Sequence, residues 1–103
     1  MATALVNGRV LANGRFADGA AVVIEGGRIA DVVGKADVPA NAERYDLAGG
    51  MLVPGFIDTQ VNGGGGALFN DAPTVETMRT IGRAHRTFGT TGFLATLISD
   101  DLH

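Results

Sequence analysis

Asp58, Gln60 and Asn62 stand at alternate positions of the short segment Phe56-Ile57-Asp58-Thr59-Gln60-Val61-Asn62, which runs directly into Gly63-Gly64-Gly65-Gly66. In a β-strand successive side chains leave opposite faces, so an acid and two amides at this spacing project together while Ile57, Thr59 and Val61 project the other way. Three polar side chains thus converge at the C-terminal end of the strand, which is where parallel α/β folds bind their ligands. The alternative is that they satisfy neighbouring backbone groups around a glycine-rich turn. Gln60 and Asn62 are the candidate active-site lining residues. No residue is assigned a catalytic role, and none is assigned as a metal ligand.

The remaining residues with chemical potential are weaker candidates. Gly63 to Gly66 could bring backbone N–H groups close to an anion, but they do not match G-x-x-x-x-G-K-[ST] and no lysine follows them. A loop shaped by steric pressure is the other reading. His85 sits beside Ile81 and Phe88 in a helical pattern, without a second histidine or carboxylate at metal spacing, and reads as a helix-surface residue near a C-terminus. Asp100-Asp101 follow the next strand and read as a solvated loop, and His103 is left without a role.

Two kinds of element must position these residues. Up to Asp46 the chain shows short strands punctuated by Asn7-Gly8, Asn13-Gly14 and Gly26-Gly27, the last flanked by Ala20 to Glu25 and Arg28 to Val33 as a hairpin. Val22, Ile24, Ile29 and the Val32-Val33 pair supply one buried face of a small antiparallel β unit, which must pack against something else. After Gly49-Gly50, Met51 to Ile57 is a nearly continuous apolar run, as in a strand buried on both faces, with the strand proper starting after Pro54. Val75, Met78, Ile81, Ala84 and Phe88 then recur at spacings of three and four, which predicts an amphipathic helix over Thr74 to Phe88. Asp71 or Thr74 can cap its start and Gly89 can stop it. Thr90 to Ser99 reads as a second buried strand, so the order is strand, helix, strand.

A single unit of this kind leaves strand edges and apolar faces uncovered, and a complete barrel takes about 250 residues. The expectation is an N-terminal segment of a larger fold, with Met1 as its start and Leu102-His103 as an arbitrary end. Composition narrows the class. A net charge of -3 with seven arginines and one lysine scattered along 103 residues offers no footprint for nucleic acid. No cysteine is present, which excludes thiol chemistry and fits a reducing compartment. No apolar run approaches the roughly 18 residues of a membrane span, and a cytoplasmic protein without membrane partners is expected.

The run Pro54-Gly55-Phe56-Ile57-Asp58-Thr59-Gln60-Val61-Asn62-Gly63, with Phe69-Asn70-Asp71, His85-Arg86-Thr87-Phe88-Gly89-Thr90-Thr91-Gly92 and Thr96-Leu97-Ile98, resembles the N-acetylglucosamine-6-phosphate deacetylases of the amidohydrolase superfamily. The resemblance implies an α/β fold in which residues 1–50 form a β-sandwich segment and residues 51–103 begin a TIM-like (β/α)8 barrel. It implies removal of the acetyl group from N-acetyl-D-glucosamine 6-phosphate, a phosphosugar substrate, to give D-glucosamine 6-phosphate and acetate. A divalent metal, zinc by preference, is implied for the complete enzyme, as is a homodimer. The superfamily places His-x-His where this chain has Gln60 and Asn62, and amides are poor transition-metal ligands beside imidazole. The family's ligands, a glutamate and two histidines, and its catalytic aspartate come from later strands, so these residues are expected to be inactive alone. Two other readings stand beside this one: a small β/α module with a binding or assembly role, and an amidohydrolase acting on another amide.

Overall fold

The computed structural model describes residues 1–99, so the readings of Asp100-Asp101 and His103 lie outside the described residues. The chain divides into two compact units after Pro54.

The first unit contains two sheets. Strands β1 (Thr3–Val6), β2 (Arg9–Ala12), β3 (Arg15–Asp18), β4 (Ala20–Glu25) and β5 (Arg28–Gly34) are followed by a single 3-10 turn at Lys35–Asp37, then by β6 (Glu43–Asp46) and β7 (Met51–Leu52). One sheet has the order β5-β4-β1-β6 and the other β3-β2-β7. The two hairpins follow from their turns. Gly26 and Gly27 have φ of 60° and 74°, and Asn13 and Gly14 have 52° and 75°, the paired positive values that a tight two-residue connection needs. The unit is not purely antiparallel as expected, because β6 lies parallel to β1 and β7 parallel to β2. Pairing between strands so far apart in sequence has no turn dipeptide to announce it.

The buried face also differs from the expected one. Ala4, Val6, Ala21 and Val38 form the core cluster, with Val33 and Ala42 packed against it, whereas Ile29 and Val32 are exposed. An irregularity between Val23 and Ile24 shifts the β4–β5 register, so that Ile29 stands opposite Ile24 and Val32 opposite Val22. Val22 and Val23 are consecutive and both buried, which means both faces of β4 are covered.

Asn7-Gly8 is a corner between sheets rather than a hairpin. Asn7 takes φ 62°, and a Cβ on Gly8 would lie 2.7 Å from the Gly50 carbonyl oxygen and 2.8 Å from Leu47 Cδ1. Asp46 Oδ1 ties the corner together by accepting from Ala48 N at 2.7 Å and from Asn7 Nδ2 at 2.8 Å. The Ala48 N–H first, and the Asn7 amide second, hold the Asp46 carboxyl below the usual aspartate range. A folded pKa that is depressed contributes stability above the unfolded pKa, and that stability is lost as pH falls through the folded value. Asp46→Ala is therefore expected to lower the thermal midpoint at neutral pH by an amount that shrinks on acidification across that window. The effect should be small, since the group is exposed. A carboxylate NMR titration should show Asp46 moving back up in Asn7→Ala, and an unmoved titration would contradict the assignment.

The second unit contains β8 (Phe56–Val61), a glycine hairpin of β9 (Gly63–Gly64) and β10 (Ala67–Leu68), helix α1 (Val75–Arg86) and β11 (Thr90–Ala95). β8 and β11 pair in parallel with α1 between them in sequence, the expected strand-helix-strand order. Thr74 caps the helix, its side chain accepting from Thr77 N at 3.2 Å, and Gly89 at φ 97° ends it. Thr74 rather than Asp71 takes the cap.

The strand burial is thinner than expected. The apolar run from Met51 to Ile57 does not form one strand: β7 ends at Leu52, β8 begins at Phe56, and Val53-Pro54-Gly55 lie between them. Proline cannot donate to a ladder, which is why the run breaks there. Ile57 is 76% exposed, and Leu94, Leu97 and Ile98 are also exposed, because β8 and β11 are a two-stranded sheet with one helix against it. Phe88 falls beyond the helix and is 81% exposed.

Candidate functional site

The C-terminal end of β8 is built by hydrogen bonds that converge from three segments. Val61 is the anchor of this end, 3% exposed, and its carbonyl accepts from Thr96 N at 2.9 Å. One residue later the half-buried Asn62 makes two connections. Its backbone carbonyl accepts from Phe69 N at 2.8 Å, and its side-chain Oδ1 accepts from the Thr96 hydroxyl. Asn62 therefore joins the strand end, the hairpin exit and the residue just past β11.

Gln60 and Asp58 behave differently from Asn62. Asp58 Oδ1 accepts from Gln60 N at 3.1 Å, so the acid is turned back onto its own strand as short polar residues commonly do. Gln60 is exposed. The β8–β11 register slips twice, between Thr90 and Gly92 and between Phe93 and Ala95, which leaves this edge irregular where Asp58 bonds locally. Of the three alternate polar residues, Asn62 alone is fastened to another segment by its side chain among the described residues.

The hairpin that follows is pressed against α1. Gly64 approaches the helix so closely that a Cβ there would lie 2.9 Å from His85 Nε2, and one on Gly65 would lie 3.2 Å from the Thr80 carbonyl oxygen. A Cβ on Gly63 would lie 2.7 Å from the Ala67 carbonyl oxygen. Steric pressure thus accounts for Gly63, Gly64 and Gly65, whereas Gly66 meets no neighbour and is explained by its φ of 79°.

Two side-chain contacts around this end were not apparent in the sequence. His85 is half-buried rather than a surface residue, with Nε2 2.8 Å from the Gly63 carbonyl oxygen. Its position four residues after the buried Ile81 was the available signal, since that spacing returns to the same helix face. Asn70 clamps the backbone of Ile98 by two bonds, donating from Nδ2 to its carbonyl at 2.8 Å and accepting its N–H at 2.7 Å. It thereby holds the chain after β11 where strand pairing has ceased, and no local signal reveals this.

The donor set does not suit a transition metal. Among the described residues no group of three or more histidines, cysteines, aspartates or glutamates is placed to hold a metal ion, and the residues at the strand end are amides. Two clefts formed by the described residues lie away from this end. One of about 310 Å³ lies in the first unit against Asn7, Arg9, Asp18 and Lys35, and one of about 390 Å³ lies in the second against Gly82, Arg86 and Phe93. Among the described residues no helix is long and apolar enough to cross a membrane.

Comparison with known proteins gives consistent results. Residues 3–52 match the family model described as the NagA composite domain. An N-acetylgalactosamine-6-phosphate deacetylase of Shewanella sp. (strain ANA-3) is 46% identical over 96 residues, covering 91% of this chain and 24% of that protein. An N-acetylglucosamine-6-phosphate deacetylase of Haemophilus influenzae is 40% identical over 79 residues, covering 77% of this chain and 21% of that protein. The crystal structure of N-acetylglucosamine-6-phosphate deacetylase from Pasteurella multocida superposes with a TM-score of 0.91 at 35% identity, over 98% of this chain and 27% of that one. The chain spans about a quarter of the length of the curated relatives it matches.

Proposed function

We propose, from the premise that this chain is a relative of the N-acetylglucosamine-6-phosphate deacetylases matching their N-terminal part, that it works as the opening segment of such an enzyme. The reaction is hydrolysis of the N-acetyl group of N-acetyl-D-glucosamine 6-phosphate to D-glucosamine 6-phosphate and acetate. The observation that carries this reading is the superposition, at a TM-score of 0.91, on a deacetylase named for that substrate.

Residues 1–50 belong to a β-sandwich segment and residues 51–103 to the start of a (β/α)8 barrel. The division after Pro54 and the parallel β8–α1–β11 order support that assignment. In such a barrel the ends of the strands carry the site. Gln60 and Asn62 line it, and Asn62 also fixes Thr96, so the two strand ends keep their spacing. The metal and the residue that moves protons lie in the remainder of the enzyme, because the amides here do not make a metal site. The complete enzyme is a cytoplasmic homodimer.

A second substrate is favoured by one specific finding: the Shewanella relative, at 46% identity, is named for the galactosamine epimer. Acetate release by the complete enzyme from the two N-acetylhexosamine 6-phosphates, measured side by side, decides between them. Release from the glucosamine derivative at the higher kcat/KM is expected. Preference for the galactosamine derivative would reassign the substrate, and release from neither would overturn the reading.

A further inference from the structure

We infer that His85 is a positioning residue for the active-site rim, holding the glycine hairpin against the end of β8; the inference rests on the function proposed above. The Gly63 carbonyl can only accept, so the 2.8 Å contact requires a proton on His85 Nε2. Gly63 follows Asn62 directly, and the Asn62 carbonyl is itself held by Phe69 N at the far side of the hairpin. The hairpin is therefore fixed on one side by the helix and on the other by its own exit.

The pattern of glycines agrees with this role. Gly64 has no room for a Cβ beside the imidazole, with Nε2 at 2.9 Å and Cδ2 at 3.1 Å from where it would stand. The ring is thus packed on the hairpin as well as bonded to it. Helix α1 in turn is seated by Ile81, which is fully buried on the same face one turn earlier. A rigid path runs from Ile81 through His85 to Gly63 and Asn62. Releasing it lets the hairpin and the Asn62 side chain drift relative to the Thr96 hydroxyl, and loosening of this order lowers the rate of the chemical step more than it weakens substrate binding.

The test uses three variants of the complete enzyme. His85→Leu keeps apolar bulk and removes the donor, whereas His85→Gln carries an N–H the same number of bonds from Cβ. His85→Leu is expected to lower kcat by roughly tenfold or more with KM moving less than about threefold, and His85→Gln to recover most of the loss. A His85→Leu enzyme within about twofold of wild type in kcat, or a His85→Gln enzyme no better than His85→Leu, overturns the inference. Gly64→Ala, which crowds the ring, is expected to follow His85→Leu, and wild-type kcat in it would count against the path. A nitrogen–proton NMR correlation on the wild-type protein without substrate reads the imidazole directly. A proton on Nε2 with slowly exchanging hairpin amides supports the hold, and a bare Nε2 sinks it whether or not the leucine variant folds. Because that spectrum needs no turnover, it separates failure of the His85 inference from failure of the proposed reaction.

Discussion

Ile81→Ala should cost the second unit about 2–5 kcal/mol, the range for truncating a fully buried branched side chain. Ile81 is 0% exposed, and among the described residues it is the one large side chain so completely enclosed. Helix α1 has twelve residues, too short to persist in water without tertiary packing. Its attachment therefore depends on this contact, with Met78 and Ala84 half-buried beside it. Compensation from nearby is restricted, since Gly82 already lies where a Cβ would be 3.0 Å from the Phe93 ring. The measurement is urea unfolding followed by helical circular dichroism, with Val75→Ala as the exposed control. Val75 is 59% exposed, and its truncation is expected to change stability by no more than about 0.5 kcal/mol. Equal midpoints for the two variants would show that the helix is held by something other than Ile81.

The contrast between Ile81 and His85 shows what the chain discloses on its own. Spacings of three and four predict α1, and the cap at Thr74 and stop at Gly89 follow from side-chain chemistry and from glycine's tolerance of positive φ. Gly26-Gly27 and Asn13-Gly14 specify their hairpins in the same local way. His85 needs a partner 22 residues away, and Asn70 one 28 residues away, so neither bond leaves a periodic trace. The parallel returns of β6 and β7 are hidden for the same reason. In the run from Met51 to Ile57, Pro54 marked the break after which the strand proper begins at Phe56, whereas the separate use of Met51–Leu52 as β7 was not legible because hydrophobicity alone cannot say whether one strand or two will use such a run. At the strand end, alternation grouped Asp58, Gln60 and Asn62 by spacing alone. It could not say that Asp58 would turn back to the Gln60 N–H while Asn62 reached Thr96.

Asn62→Ala is the second change with a large expected effect. Asn62 holds the Thr96 hydroxyl by its side chain and receives Phe69 N on its carbonyl, so only the side-chain half of its work is lost on truncation. Groups that orient an active site without touching the metal typically change activity by about 10- to 100-fold when removed. Gln60→Ala should do less, because the exposed Gln60 side chain has no partner among the described residues. Thr96→Val removes the other half of the same bond, and the two changes should therefore be non-additive when combined.

The decisive measurement is kcat for acetate release from N-acetyl-D-glucosamine 6-phosphate by the complete enzyme, compared between wild type, Asn62→Ala, Thr96→Val and the double variant. A loss of about 10- to 100-fold in Asn62→Ala, little increased by adding Thr96→Val, is expected if the end of β8 lines the site. Wild-type turnover in Asn62→Ala with an intact fold would contradict it and return the strand end to a purely structural role.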